Sequence, residues 1–258
     1  MVKFVIFFLL PLALILWLFL FPSNIRLLLR RLGRGMGDVG RAGQELMTGK
    51  EVQGSPLARY EAQAGRAVEE KILAAHPISP DEMLQSRVAF VGGRIAGSAL
   101  RREINYRFRV IDGPVPAAFS LPGGAIFISQ PLMDLSAGDD NQLAGLLAHE
   151  VAHIDQRHAV RHLARSAAAR TGLRILSLGR GALLARAIGS MEELLANGYG
   201  AREELEADQS AVALAARAGF DPRAYPFFLR SVLDRRLDQA GYFRSHPPIP
   251  ERLRALGD

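Results

Sequence analysis

Residues 149–153 read His-Glu-Val-Ala-His. On an α-helix, positions i and i+4 share a face, so His149 and His153 can grip one metal ion while Glu150 lies beside it as a base. Leu143, Leu146, Leu147 and Val151 recur at helical spacing around them, which places the pair on such a helix. A catalytic zinc ion takes three protein ligands and leaves one position for water, so a third ligand must come from another element. The later segment Arg202-Glu203-Glu204-Leu205-Glu206-Ala207-Asp208 carries Glu204 and Asp208 four residues apart, on one helical face. One of them can ligate the metal while the other accepts the second ring N–H of a ligating histidine and fixes its tautomer. Glu203 is a weaker rival for the ligand position, and Glu206 falls on another face. The chain has no cysteine, so neither a thiolate metal site nor a disulfide framework exists.

Three pieces of sequence resemble a known group. They are the helix Leu143-Ala144-Gly145-Leu146-Leu147-Ala148-His149-Glu150-Val151-Ala152-His153 with Arg157-His158 after it, the segment Glu204-Leu205-Glu206-Ala207-Asp208, and Phe119-Ser120-Leu121-Pro122-Gly123-Gly124 upstream. A late His246-Pro247-Pro248 with Arg252 adds a fourth. Over residues 60–258 the chain is similar to the zinc metallopeptidases that include the HtpX membrane proteases, the CAAX prenyl endopeptidases and the OMA-type mitochondrial protease. The resemblance implies one Zn²⁺ per chain, with His149, His153 and Glu204 as ligands and Asp208 behind them. It implies Glu150 as the catalytic base that deprotonates the attacking water, and polypeptides as substrates. His246 and Arg252 fall in an element whose histidine, in some relatives, holds the enzyme latent; either residue could instead stabilise the transition state. The chain departs from the group at Ala201, where a serine is usual, and at Ala117 and Ala118, where an asparagine is common. Neither position is a ligand, so the departures bear on fine specificity.

The elements needed to position these residues are mostly helices. Residues 60–75 read as an amphipathic helix closed by Pro77 and Pro80. Residues 106–112 and Ala125–Ser129 read as strands, with a segment rich in turn formers between them. Asp139 or Asp140 can cap the histidine helix, and a later helix spans 202–216. The expected class is α+β, mainly helical: a zincin-like metallopeptidase domain with a small β-sheet, preceded by one N-terminal transmembrane helix. Gly123, Gly124, Ala125, Ile126 and Phe127 are the expected substrate strand, accepting an extended chain by edge pairing.

Residues 4–21 carry no charge, a length that crosses the hydrocarbon core of a bilayer as a helix. A cleaved signal peptide is the rival reading, but no small-x-small site follows the run. Residues 1–32 are therefore expected to be an anchor with a basic flank, 33–59 a glycine-rich linker and 60–258 the metallopeptidase domain. Five arginines against one acid, Asp38, lie between 26 and 41, which by the positive-inside rule puts the domain on the cytoplasmic face of a bacterial-type inner membrane. Residues 157–186 hold seven arginines and no acid. They can lie flat on an anionic bilayer or form a helical hairpin with solvated arginines. No nucleic-acid-binding signature accompanies either basic block, so nucleic acid is not an expected partner. His158 and His162 fall five and nine residues past His153; counted along one continuous helix they leave the ligand face and belong at the surface.

The function expected from this pattern is membrane-anchored, zinc-dependent endoproteolysis of unfolded or misfolded membrane or envelope proteins. The alternative is a zinc-holding chaperone or scaffold with little or latent proteolysis. A lipid-surface module with a purely structural zinc would instead show a closed shell of four protein ligands.

Overall fold

The computed structural model describes residues 57–162, 180–238 and 241–258, together with positions 37, 41 and 44. The expected membrane span, its basic flank, nearly all of the linker and residues 163–179 of the second basic block lie outside the described residues. Among the described residues, no helix is long and apolar enough to cross a membrane. Residues Leu57–Asp258 form one unit. Its elements in chain order are α1 (Leu57–Ala75), α2 (Glu82–Gly97), β1 (Arg107–Ile111), β2 (Ala118–Leu121), β3 (Ala125–Ser129), α3 (Gln130–Leu135), α4 (Asp140–Asp155), α5 (Arg180–Asn197), α6 (Ala201–Arg217), α7 (Ala224–Asp234), a 3₁₀ turn (Gly241–Ser245) and α8 (Ile249–Ala255). Helices with one small sheet make the α+β arrangement expected from the sequence.

The centre is α4. Asp139 caps it, its carboxylate accepting the Asn141 N–H at 2.8 Å, which satisfies one of the helix's orphan donors. From Gln142 to Ile154 every residue of α4 is buried, the mark of a helix surrounded by protein rather than lying on its surface. Its most extensive neighbour is α6, followed by α2 and α7. Buried alanines on both partners (Ala144, Ala148 and Ala152 on α4; Ala207, Ala211 and Ala215 on α6) let the two backbones approach. Gly145 does the same for α7: a Cβ there would stand 2.5 Å from Tyr225 Cβ. That bare surface is what lets Tyr225 reach the histidines.

The sheet has the order β1-β3-β2. β3 runs parallel to β1, with Arg107 opposite Ala125, and antiparallel to β2, with Phe119 opposite Phe127. β2 lies in the segment read from sequence as turns, because its four residues are too few to display an alternation. Gly123 and Gly124 have φ of +91° and +97°. They make the tight reversal into β3, and a side chain at Gly124 would strike the Asn105 carbonyl at 2.4 Å.

This topology corrects the expected substrate strand. Ala125, Ile126 and Phe127 belong to the central strand, which is paired on both edges and buried throughout, while Gly123 and Gly124 form the turn before it. The free edge belongs to β2. Ser129 N donates to Ala117 O at 2.8 Å, so the alternation of an antiparallel ladder leaves the main-chain groups of Ala118 and Ser120 facing outward.

Candidate metal centre

His149 and His153 stand one turn apart on α4, and α6 delivers Glu204 against them. His149 Nε2 lies 3.1 Å from His153 Nε2 and 3.3 Å from Glu204 Oε2, and His153 Nε2 lies 3.8 Å from the same oxygen. His246, from the end of the 3₁₀ turn, brings its own Nε2 to 3.2 Å from that oxygen. All four side chains are buried or nearly so, with Glu204 1% exposed.

The hydrogen bonds on the far sides of the rings decide what these atoms carry. His149 Nδ1 is 2.9 Å from Asp208 Oδ1. A carboxylate only accepts, so a neutral His149 carries its ring proton on Nδ1 and offers Nε2 as a lone pair. His246 Nδ1 is 2.7 Å from the Tyr242 carbonyl, which leaves Nε2 a lone pair by the same reasoning. Lone pairs therefore converge on a buried carboxylate oxygen, and Oε2 of Glu204 accepts no hydrogen bond. Such a cluster is repulsive unless a positive charge, a metal ion or in its absence a proton on His149, stands among its atoms. The nitrogen and oxygen donors, their number and their burial fit zinc. His149, His153 and Glu204 form one group able to hold a metal ion, and His149, Glu150 and His246 form a second, overlapping one.

The charges agree. Burial opposes a charged His149, but its bond to Asp208 and the neighbouring Glu204 carboxylate outweigh this and lift the imidazole to about 9. Burial pushes the Glu150 carboxyl up to about 7; His149 pulls it down and Glu204 raises it further. For Asp208, burial is outweighed by the adjacent Arg252 guanidinium, which holds the carboxyl well below the usual carboxylate range. The site draws in positive charge while keeping one carboxyl poised near neutrality.

Asp208 is clamped. Arg252 Nε and Nη2 donate to its two oxygens at 2.9 and 2.7 Å, and Tyr225 OH donates to Oδ1 at 2.9 Å while accepting from Arg252 Nη2 at 2.6 Å. This corrects the expectation that Arg252 could stabilise a transition state. It is 0% exposed and does not line the cleft beside the site, and its Nε and Nη2 are engaged by Asp208 and Tyr225. Its place is behind His149.

The cleft holds about 720 Å³ and is walled by β2 with the residues before it, the C-terminal half of α5 and the 3₁₀ turn. Glu150, His153, Glu204 and His246 all open onto it. Met191 and Leu194 give one wall an apolar surface.

Sequence reasoning missed three contributors. Tyr225 carried no motif, and only the gap at Gly145 brings it in. Tyr199 stacks on His153 with ring centroids 4.1 Å apart and planes 14° apart. His158, expected at the surface, is fully buried with its Nδ1 2.7 Å from His153 Nδ1. The expectation assumed a continuous helix, whereas α4 ends at Asp155 and the chain turns through Arg157 at φ +56° before becoming helical again at His158. That reversal sends His158 back toward the site. A positive φ at a non-glycine residue is uncommon and has no sequence signature.

The chain is similar to known proteins. The chain is 29% identical to the β-barrel assembly-enhancing protease of Escherichia coli over 233 residues, 83% of this chain and 44% of the relative. It is 30% identical to the mitochondrial metalloendopeptidase OMA1 of Schizosaccharomyces pombe over 173 residues, 63% of this chain and 49% of the relative. Similarity to the OMA1 metalloendopeptidase of Bos taurus is 34% over 165 residues, 58% of this chain and 30% of the relative. The chain thus spans less than half the length of these relatives. Residues 82–258, which hold every side chain of the centre described above, match peptidase family M48, and the chain belongs to that family.

Proposed function

We propose that this chain is a zinc-dependent endopeptidase, anchored in a bacterial-type inner membrane through residues 4–21 with its domain on the cytoplasmic face, that hydrolyses peptide bonds of unfolded or misfolded membrane or envelope proteins. The observation that carries the reading is the convergence of His149, His153 and Glu204 beside Glu150 at one end of an open cleft. The uncharged run at 4–21 supports the anchor, and the relatives' names supply the peptidase activity.

Bound by His149, His153 and Glu204, zinc supplies the Lewis acidity that polarises a peptide carbonyl and makes water nucleophilic near neutral pH. The chain's own groups do the rest. Glu150, poised at about 7 by burial, takes a proton from the attacking water and returns it to the leaving amine. Asp208 holds the Nδ1 proton of His149, and Arg252 and Tyr225 hold Asp208. The outward main-chain groups of Ala118 and Ser120 pair with an extended substrate along the β2 edge, a mode open to unfolded chains and closed to folded ones. Met191 and Leu194 receive apolar side chains of that substrate.

Replacing Glu150 with Gln tests this mechanism: the variant is expected to keep its zinc and to lose cleavage of an unfolded model protein. A fully active Glu150→Gln chain would remove Glu150 as the base.

One observation favours the second reading, a zinc-holding chaperone with latent proteolysis. His246 Nε2 stands 3.2 Å from the ligating oxygen of Glu204, where it can fill the position that water needs. His246→Ala is then expected to raise proteolysis, whereas a large loss would assign His246 to catalysis.

A further inference from the structure

His153 does not rest on a carboxylate or a carbonyl as its neighbour His149 does; it rests on a second imidazole. The Nδ1 atoms of His153 and His158 are 2.7 Å apart, and both rings are buried. Two ring nitrogens at this distance share one proton, so one ring donates and the other accepts. The far nitrogen of His158 settles the direction. Its Nε2 faces Gln156 Oε1 at 3.3 Å and Glu206 Oε2 at 3.6 Å. The Gln156 amide is oriented by its own NH₂, which donates to the Glu206 carbonyl and to Ser210 Oγ at 3.2 and 2.5 Å. Glu206 can only accept, and Arg161 and Arg202 hold it in place at 2.6 and 3.0 Å. The proton of a neutral His158 therefore sits on Nε2, its Nδ1 is the acceptor, and His153 carries its proton on Nδ1.

We infer that His158 is a positioning residue for the metal centre: it fixes His153 in the Nδ1–H tautomer and thereby presents the Nε2 lone pair to the metal. The inference rests on the zinc reading above. A metal-ligating imidazole with no partner on its other nitrogen is free to rotate and to swap tautomers, and both weaken its grip. Tyr199, stacked flat on His153, restrains the ring plane but offers no hydrogen bond in that plane; among the described residues His158 is the group that selects the tautomer. The turn at Arg157 is part of the same device, because without it His158 continues along α4 and faces away. Arg157 itself is buried and donates to Glu61 at 2.9 Å, which fastens the turn to α1.

The test measures zinc affinity by chelator competition on the full-length chain in detergent, for wild type, His158→Phe and His158→Asn. Phe keeps the bulk and removes the acceptor; Asn places Oδ1 where Nδ1 stood. His158→Phe is expected to weaken zinc binding by roughly 10- to 100-fold, and His158→Asn to recover most of that loss. Equal affinity for wild type and His158→Phe, or equal losses in both variants, would overturn the inference. A wild-type chain that binds no zinc removes the metal reading and this inference with it, so the two failures are distinguishable. A long-range ¹H–¹⁵N spectrum of the wild-type protein tests the same point without any variant. The expected pattern is a protonated Nδ1 on His153 and a bare Nδ1 on His158; the reverse overturns the assignment.

Discussion

The two histidines of the candidate metal centre lie one turn apart on the same helix, yet they are supported in opposite ways. Behind His149 stands a charged system: Asp208 is buried and compensated by Arg252, with Tyr225 bridging the two. Behind His153 stands a neutral one: His158, then the Gln156 amide, with Glu206 and its arginines only at the margin. A buried carboxylate raises the basicity of the imidazole it holds, whereas a neutral imidazole chiefly orients it. His149 is thus built as the strong, immobile donor and His153 as the aligned one beside the cleft. The difference teaches that two ligands in one motif can demand different things from the protein around them.

The sharpest way to break this comparison is to remove the charge behind His149. Asp208→Ala leaves Arg252 buried without its carboxylate and is expected to cost about 3–5 kcal/mol of stability. Replacing His158 with Phe removes only a neutral buried hydrogen bond and is expected to cost about 1–3 kcal/mol. Urea unfolding of the two variants decides the point: a His158→Phe loss equal to that of Asp208→Ala would erase the contrast.

A gentler probe moves Tyr225 without touching its chemistry. In Gly145→Ala the added methyl meets Tyr225 Cβ at 2.5 Å, so α7 must shift and carry the hydroxyl away from Asp208. The expected cost is about 1–3 kcal/mol, with zinc affinity lowered through His149 alone. A variant as stable as wild type and equally tight for zinc would show that the approach of α7 is immaterial.

The smallest effect is also the most diagnostic, because the two halves respond to pH with opposite signs. His149, lifted to about 9 against the opposition of burial, binds its proton more tightly folded than unfolded. In chelator-treated protein its contribution is therefore complete below the unfolded value of about 6.5 and fades as pH rises through 9. His158 is held down to about 3 by burial, with Arg161 adding and Glu206 opposing. The unfolded chain takes up that proton first, so this half loses stability as pH falls below about 6.5, by at most about 1.4 kcal/mol per unit. Urea midpoints between pH 5 and 9 are expected to show a shallower acid slope in His158→Asn, where the buried His153 and His246 still resist protonation, and a shallower alkaline slope in Asp208→Asn. Identical slopes in all three proteins would collapse the comparison.

Legibility from sequence follows the same divide. His149, Glu150 and His153 were readable because a fixed helical period makes i and i+4 neighbours whatever the fold, and Asp208 was readable because Glu204 shares its period on α6. Their support across the fold was not. Tyr225 reaches the site only because Gly145 leaves room, a fact about packing between helices distant in sequence. His158 was misplaced because its position depends on one positive φ at Arg157, and periodicity arguments presume an unbroken helix. The edge open to a substrate belongs to β2 and not to the expected residues 123–127, because a strand's neighbours are set by topology and short strands carry little pattern. The mainly helical class survived these errors, since long amphipathic stretches outweigh four-residue strands.

The Glu61–Arg157 bond also orders events during synthesis. Its partners are 96 residues apart, so α1 leaves the ribosome long before the turn that it fastens. Asp208 then waits another 44 residues for Arg252, and until that guanidinium emerges α6 can seal its acid into the interior only at a penalty. A nascent chain therefore gains the support of His153 as soon as His158 follows it, but lacks that of His149 until Arg252 emerges. Competence to bind metal arrives as a late event of translation, after the cleft's walls are made, which limits the time a growing polypeptide could cut itself or its neighbours.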